Sequence, residues 1–273
     1  MSKLINNLSE QKEILESQGY SVAYICIYGS QNYNLDIHTD DYQSDIDMKA
    51  IIVPTLDDLI QDSKPVSTVV DTEWGQCDIK DIRLYFKTLL KANPAYIETL
   101  YTDYYVVDSK FDNEFEQIFN LRDNLVETLK AQMIRAMYGM MKEKEKAMCH
   151  PYPTIAHKIE KYKFDGKQTH HILRLWLMME DYYNHGKNMK ECMYPDAKLT
   201  ELLIDHKLNK LPFETALEDV NDVMKLAKEF KDEVLNNIDE NKVDYSVKGD
   251  FLKLSQEIIK SRIIEESKGV QYD

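Results

Sequence analysis

Apolar residues follow two different rhythms along this chain, strand-like in the first third and helical after it. Ser9 is placed to cap a short helix through Gln18, with Gly19 as its stop. Residues 20–28 then form a dense aromatic and apolar run, the pattern of a buried strand that ends in a tight turn at Gly29. Past a polar stretch over 36–44, the run 46–53 predicts a second strand, closed by Pro54. Residues 66–70 and 76–79 are short enough and apolar enough to extend the same sheet. From Asp81 to Lys91 the spacing of Ile82, Tyr85, Phe86, Leu89 and Leu90 changes to that of an amphipathic helix, which Asn93-Pro94 interrupts.

Helical periodicity dominates beyond about residue 110. One pattern covers 121–148, and others cover 167–183, 213–236 and 252–264. The expectation is an α+β chain with a mixed sheet in residues 1–110 and a helical region in 111–273, although a single two-layer domain also fits. No internal repeat or low-complexity tract is visible, and the run Lys142-Glu143-Lys144-Glu145-Lys146 reads as a solvated helix face.

Composition narrows the picture in three respects. With 273 residues, 43% hydrophobic and 30% charged, the chain can build a sizeable core and is globular rather than disordered. No apolar stretch reaches a membrane span or the core of a signal peptide, and Cys26, Cys77, Cys149 and Cys192 lack the spacing of a zinc site. The expected setting is therefore the reducing cytoplasm, without a membrane partner, and the cysteines are expected as free, mostly buried thiols. A net charge of −14 argues against binding along extended duplex DNA, which needs clustered positive charge. It leaves room for a nucleotide, a small metabolite, a protein or a short RNA end.

The candidate chemistry lies in the strand-rich part. Gly29-Ser30 is a turn that lets backbone approach a phosphate while the hydroxyl binds a β- or γ-phosphate oxygen. Asp45 and Asp47, in Ser44-Asp45-Ile46-Asp47, are two apart, and a strand with period two would send both to one face. Paired carboxylates are hard oxygen ligands for Mg2+ or Mn2+, the ions that neutralise a triphosphate and acidify an attacking hydroxyl. Asp78, on a neighbouring strand, is the expected third ligand, and Asp81 its competitor, with a helix cap as the plainer role for Asp81. Arg83 is read as a partner of phosphate or of an internal carboxylate, and Tyr33 as a base-stacking or loop-packing ring.

This arrangement resembles the DNA polymerase beta-like nucleotidyltransferase superfamily. Gly29-Ser30-Gln31-Asn32-Tyr33 followed by Ser44-Asp45-Ile46-Asp47 is most similar to a bacterial and phage group of predicted nucleotidyltransferases that includes RNA ligase-associated forms. Asp81-Ile82-Arg83, the segment around Asn93-Pro94, and Lys167 through Leu175 extend the likeness in outline over residues 20–210. Asn34 stands where many related proteins carry glycine, a change that a left-handed turn tolerates. The resemblance implies a polymerase-beta-like mixed sheet with a helical C-terminal region. It also implies metal-dependent transfer of a nucleoside monophosphate, with ATP as the leading donor and pyrophosphate as the leaving group. Gly29 and Ser30 would bind the nucleotide, Asp45, Asp47 and Asp78 would act in catalysis and metal binding, and Lys167, His171 and Arg174 would face the triphosphate. The acceptor stays open among an RNA 3′ end, a protein hydroxyl and a small molecule, as does assembly into a homo-oligomer. The competing expectation is a noncatalytic nucleotide-binding or interaction protein that keeps the fold.

Overall fold

Between Gly19 and Pro54 the chain builds two adjacent inner strands of a five-stranded sheet. A computed structural model describes residues 3–40 and 42–269. In chain order its first elements are α1 (Lys3–Ser17), β1 (Val22–Tyr28), β2 (Asp47–Ile52), α2 (Leu56–Ile60), β3 (Ser67–Asp71), β4 (Gln76–Asp81), α3 (Ile82–Leu89), α4 (Pro94–Ile97) and β5 (Tyr105–Val107). Helices α5 (Asp112–Thr128), α6 (Lys130–Ala147), α7 (Ala156–Tyr162), α8 (Gly166–Tyr183), α9 (Met189–Cys192), α10 (Ala197–Lys207), α11 (Phe213–Asn237) and α12 (Ser246–Gly269) follow. The class is α+β, as the two rhythms indicate.

The strands run in the order β3-β4-β2-β1-β5. β2 pairs parallel with β4, and every other neighbouring pair is antiparallel, so the sheet is mixed. Strand alternation sorts the residues onto two faces. Ile25, Ile27, Met48, Ala50, Ile52, Cys77 and Ile79 form one face and pack with Leu8 and Leu15 of α1. Tyr24 belongs to the other face, where its ring stacks on Phe115 at 5.0 Å and its hydroxyl donates to the Thr99 carbonyl. Covered on both sides, β1 reads as a nearly unbroken apolar run, whereas β2 alternates over Asp47-Met48-Lys49-Ala50 before Ile51 and Ile52.

Local chemistry sets the ends of the elements. α1 begins at Lys3, ahead of Ser9, whose hydroxyl bonds back to the Ile5 carbonyl inside the helix instead of capping it. It stops as expected: Gly19 has φ 94°, and the Tyr20 N–H reaches back to the Leu15 carbonyl. The expected strand over 46–53 begins at Asp47, so Asp45 precedes the ladder and strand alternation does not set its direction. The single helical pattern over 121–148 is two helices that meet at Leu129, whose N–H closes the last turn of α5 on the Leu125 carbonyl.

The chain forms two compact units. The first takes the described residues of 1–32, 43–129 and 244–273, and holds the sheet, α3, α5 and α12. Within it α12 packs on α3 and α5, with Phe251 fully buried beside Phe86. The second unit takes residues 33–42 and 130–243. There α6, α8 and α11 pack on one another and α10 crosses α8, where Gly166 lies so close to the His206 carbonyl that no side chain fits between them. A cut near residue 110 follows the change of rhythm, whereas the compact units follow packing and return helices α5 and α12 to the sheet.

Candidate active site

Gly29 ends β1 with φ 84°, a backbone conformation that L side chains rarely adopt. Ser30 opens a 3₁₀ turn through Tyr33, and the Asn32 N–H donates to the Gly29 carbonyl at 2.9 Å. Asn32 fixes this turn from inside: it is buried, its Nδ2 donates to the Ile27 carbonyl, and its Oδ1 accepts from Thr102 Oγ1 at 2.7 Å. Asn34 has φ 55°, in keeping with the left-handed turn expected there.

Asp47 heads β2 opposite Tyr28 in the ladder, half-buried. A Cβ placed on Gly29 would stand 3.7 Å from Asp47 Oδ2, so the glycine turn and this carboxylate meet at the strand end. Asp45 is exposed. Its position depends on the hairpin turn between β3 and β4, where Thr72 Oγ1 accepts from the Trp74 and Gly75 N–H groups and the Trp74 carbonyl accepts from the Ile46 N–H. Gly75 lies against the Ile46 backbone, and a Cβ on it would fall 2.7 Å from the Ile46 oxygen.

Asp78 is on β4, in register with Lys49. Its Oδ2 accepts from Lys49 Nζ at 2.8 Å and from the Tyr96 hydroxyl at 3.1 Å. The Lys49 ammonium also lies 4.0 Å from the ring centre of Tyr28 and 4.6 Å from that of Tyr96. Burial raises the Tyr28 hydroxyl far above the usual phenol value, and the charges of Asp47 and Asp78 raise it further. Tyr96 is raised likewise, by burial first and then by Asp78. Asp81 caps α3, accepting from the Arg83 N–H, and forms a two-pronged ion pair with the Arg83 guanidinium. Cap and internal ion pair are therefore the observed roles of Asp81 and Arg83.

The donor chemistry fits a divalent ion in part. Asp45 and Asp47 are hard oxygen donors, with Asp47 at the Gly29 turn, and magnesium takes one or two carboxylates together with other oxygen ligands and water. Among the described residues no group of three or more His, Cys, Asp or Glu is close enough to hold a metal, and Asp78 is engaged by Lys49 and Tyr96. By donor type Asp45 and Asp47 suit such an ion, and among the described residues no third carboxylate joins them.

Lys167, His171 and Arg174 stand on α8 in the second unit, with Lys167 exposed. Arg174 is buried, and its guanidinium lies 4.1 Å over the Tyr33 ring, so that ring serves loop packing. His171 packs edge-on against His170 at 5.3 Å. Its imidazole is held well below the ordinary value by burial, then by His170, Arg174, Lys144 and Lys167. The buried His170 binds the Leu203 carbonyl through Nδ1 at 2.9 Å.

Sequence reasoning passed over Lys49, Tyr96, Asn32 and Gly75. A signal existed for two of them: Lys49 is the one basic residue inside the strand run 46–53, and Gly75 follows Trp74 between two strand patterns. Cys26, Cys77 and Cys192 are buried thiols and Cys149 is exposed. No helix among the described residues is long and apolar enough to cross a membrane.

No family model matches the chain, and no curated protein matches it. Among solved structures it is similar to a nucleotidyltransferase-like protein from Exiguobacterium sibiricum at 10% identity, over 94% of this chain and 76% of that one, with a TM-score of 0.31, too low for the likeness to carry an argument.

Proposed function

We propose that the first unit is a nucleotidyltransferase, in which an acceptor hydroxyl attacks the α-phosphate of a nucleoside triphosphate and pyrophosphate leaves. One observation carries the reading: a left-handed glycine turn, pinned from within by Asn32, meets the Asp47 carboxylate at the end of a buried strand. A turn of this kind accepts phosphate because nothing beyond Cα stands between backbone and ligand. Ser30 Oγ adds a donor for a phosphate oxygen. The sequence resemblance supports the same assignment and makes ATP the first donor to test.

Magnesium, held by Asp45 and Asp47, would supply charge neutralisation of the triphosphate and a lowered pKa for the acceptor hydroxyl. The chain itself contributes orientation. Asn32 and Thr102 fix the phosphate turn, and the Thr72–Gly75 turn fixes the backbone between the two aspartates. A carboxylate pair held this way is in place before substrate arrives and needs no reorganisation during the reaction.

The test is transfer of α-32P from each of the four NTPs, with magnesium or manganese, into RNA, protein and small-molecule fractions. Label in one fraction that disappears in Asp45→Ala/Asp47→Ala identifies donor and acceptor class together. A second reading, nucleotide binding without transfer, draws support from the absence of a three-carboxylate group among the described residues. Retained NTP binding with no label and no pyrophosphate would establish it.

A further inference from the structure

The sheet face that carries Asp47 also carries a cation of the chain's own. Lys49 follows Asp47 by two residues in β2 and so points to the same side of the sheet. Its residue is only 4% exposed, which is unusual for a lysine unless a partner balances its charge in place. The partner is Asp78, 2.8 Å away across the parallel β2–β4 pair, and the Tyr28 and Tyr96 rings hold the ammonium from two further sides. The Tyr96 hydroxyl donates to the same Asp78 oxygen, so that oxygen already has two donors. Lys80, two residues beyond Asp78, puts a further ammonium 4.8 Å from the Tyr96 ring centre.

Resting on the nucleotidyl-transfer reading, we infer that Lys49 is the fixed positive charge of this site for a nucleoside triphosphate, and that Asp78 is a positioning residue that holds the Lys49 ammonium instead of a metal ligand. Phosphoryl oxygens that gain charge as pyrophosphate leaves are stabilised by any cation set beside them in advance. A lysine does this as a compact point charge, and a buried one does it with little water to displace. The aromatic walls attract the ammonium through their ring faces. A carboxylate already bound to ammonium and hydroxyl is a poor ligand for a second divalent ion, which agrees with the absence of a three-carboxylate group among the described residues.

Manganese bound by the full chain, counted by the EPR signal of the free ion, separates the two roles of the carboxylates. Asp78→Asn is expected to bind manganese within about twofold of wild type, whereas Asp45→Asn/Asp47→Asn loses at least tenfold. Because Asp78→Asn leaves a buried ammonium unbalanced, Lys49→Met/Asp78→Asn, which removes both charges, provides the same comparison in a chain without that defect. Calorimetry with ATP supplies the second readout: the double variant is expected to bind ATP at least tenfold more weakly than wild type while keeping its manganese. Loss of manganese in both Asp78 variants would overturn the inference, as would unchanged ATP affinity in the double variant. A wild-type chain that binds no manganese would overturn the transferase reading and the inference with it.

Discussion

A histidine buried next to cations shows how far one residue can move the whole protein with pH. His170 is 3% exposed, and its pKa is lowered to about 3, first by burial and then by Arg174, Lys207 and His206, while its bond to the Leu203 carbonyl opposes the shift. The unfolded chain takes up this proton near pH 6.5 and the folded chain only near pH 3. Stability is therefore complete above pH 6.5, falls as the pH drops through that value, and stops falling below about 3. At pH 5 the loss from His170 alone is about 2 kcal/mol. Urea midpoints at pH 7 and pH 5 measure it, and His170→Asn should shrink the difference without removing it, since His171 and His206 are also lowered. An unchanged midpoint in the wild-type chain would contradict this account. The sequence carried residue-scale information unevenly. The turn at Gly29 and the place of Asp47 at the head of β2 could be read because the motif that holds them is concentrated in short spacings. The Lys49–Asp78 pair could not, because its 29-residue separation closes only when β2 and β4 pair in register.

Elements were legible where a period runs long enough to register. β1, β2, α3, α8 and α11 fall within a few residues of their expected positions. The three-residue β5, at the sheet edge against β1 alone, and the five-residue α2, set by the Thr55 capping box, are too short to show a period. The joint between α5 and α6 was hidden for another reason: both helices are apolar at helical spacing, and only their packing in separate units reveals the break at Leu129. Close approaches between elements give a direct test of this organisation. Gly75→Ala puts a Cβ 2.7 Å from the Ile46 oxygen and 3.0 Å from two more atoms of its backbone, so residues 45–47 must shift. Gly166→Ala puts one 2.0 Å from the His206 carbonyl, at the α8–α10 crossing. Gly139, inside α6, has nothing within 4 Å of its added Cβ. Gly75→Ala should cost about 1–3 kcal/mol by overpacking and, on the proposed reading, reduce label transfer by more than its stability loss explains. Gly166→Ala should cost about 3 kcal/mol, and Gly139→Ala should add up to about 1 kcal/mol. Denaturant midpoints for the three variants check the order, and a Gly75→Ala chain with full stability would show that the hairpin turn does not constrain the aspartates.

At the scale of the molecule, chain order and spatial order part company. The sheet unit needs α12, from the far end of the sequence, because α3 and α5 expose an apolar surface that nothing nearer in the chain covers. Phe251, Leu254 and Ile258 are buried there, the Glu266 carboxylate accepts from the Leu56 N–H at the start of α2, and Glu265 pairs with Lys110 at 2.7 Å. Three fully buried apolar side chains contribute roughly 5–9 kcal/mol. That matches the entire stability of an ordinary domain, whereas the exposed Glu265–Lys110 pair adds little. A chain ending at residue 243 should therefore lose the sheet unit altogether instead of fraying at one edge. A chain ending at residue 110 should fare no better, since it also lacks α5, whose Phe115 stacks on Tyr24 of β1. Hydrogen exchange reads this at Ile25, Ile27, Met48 and Ala50, whose residues are fully buried in the intact chain. In the chain cut at 243 these amides should exchange at the rates of an unfolded peptide. Slow exchange there would mean that the sheet and α5 form a core without α12, and slow exchange in the chain cut at 110 as well would make the division near residue 110 the folding unit as well as the change of rhythm.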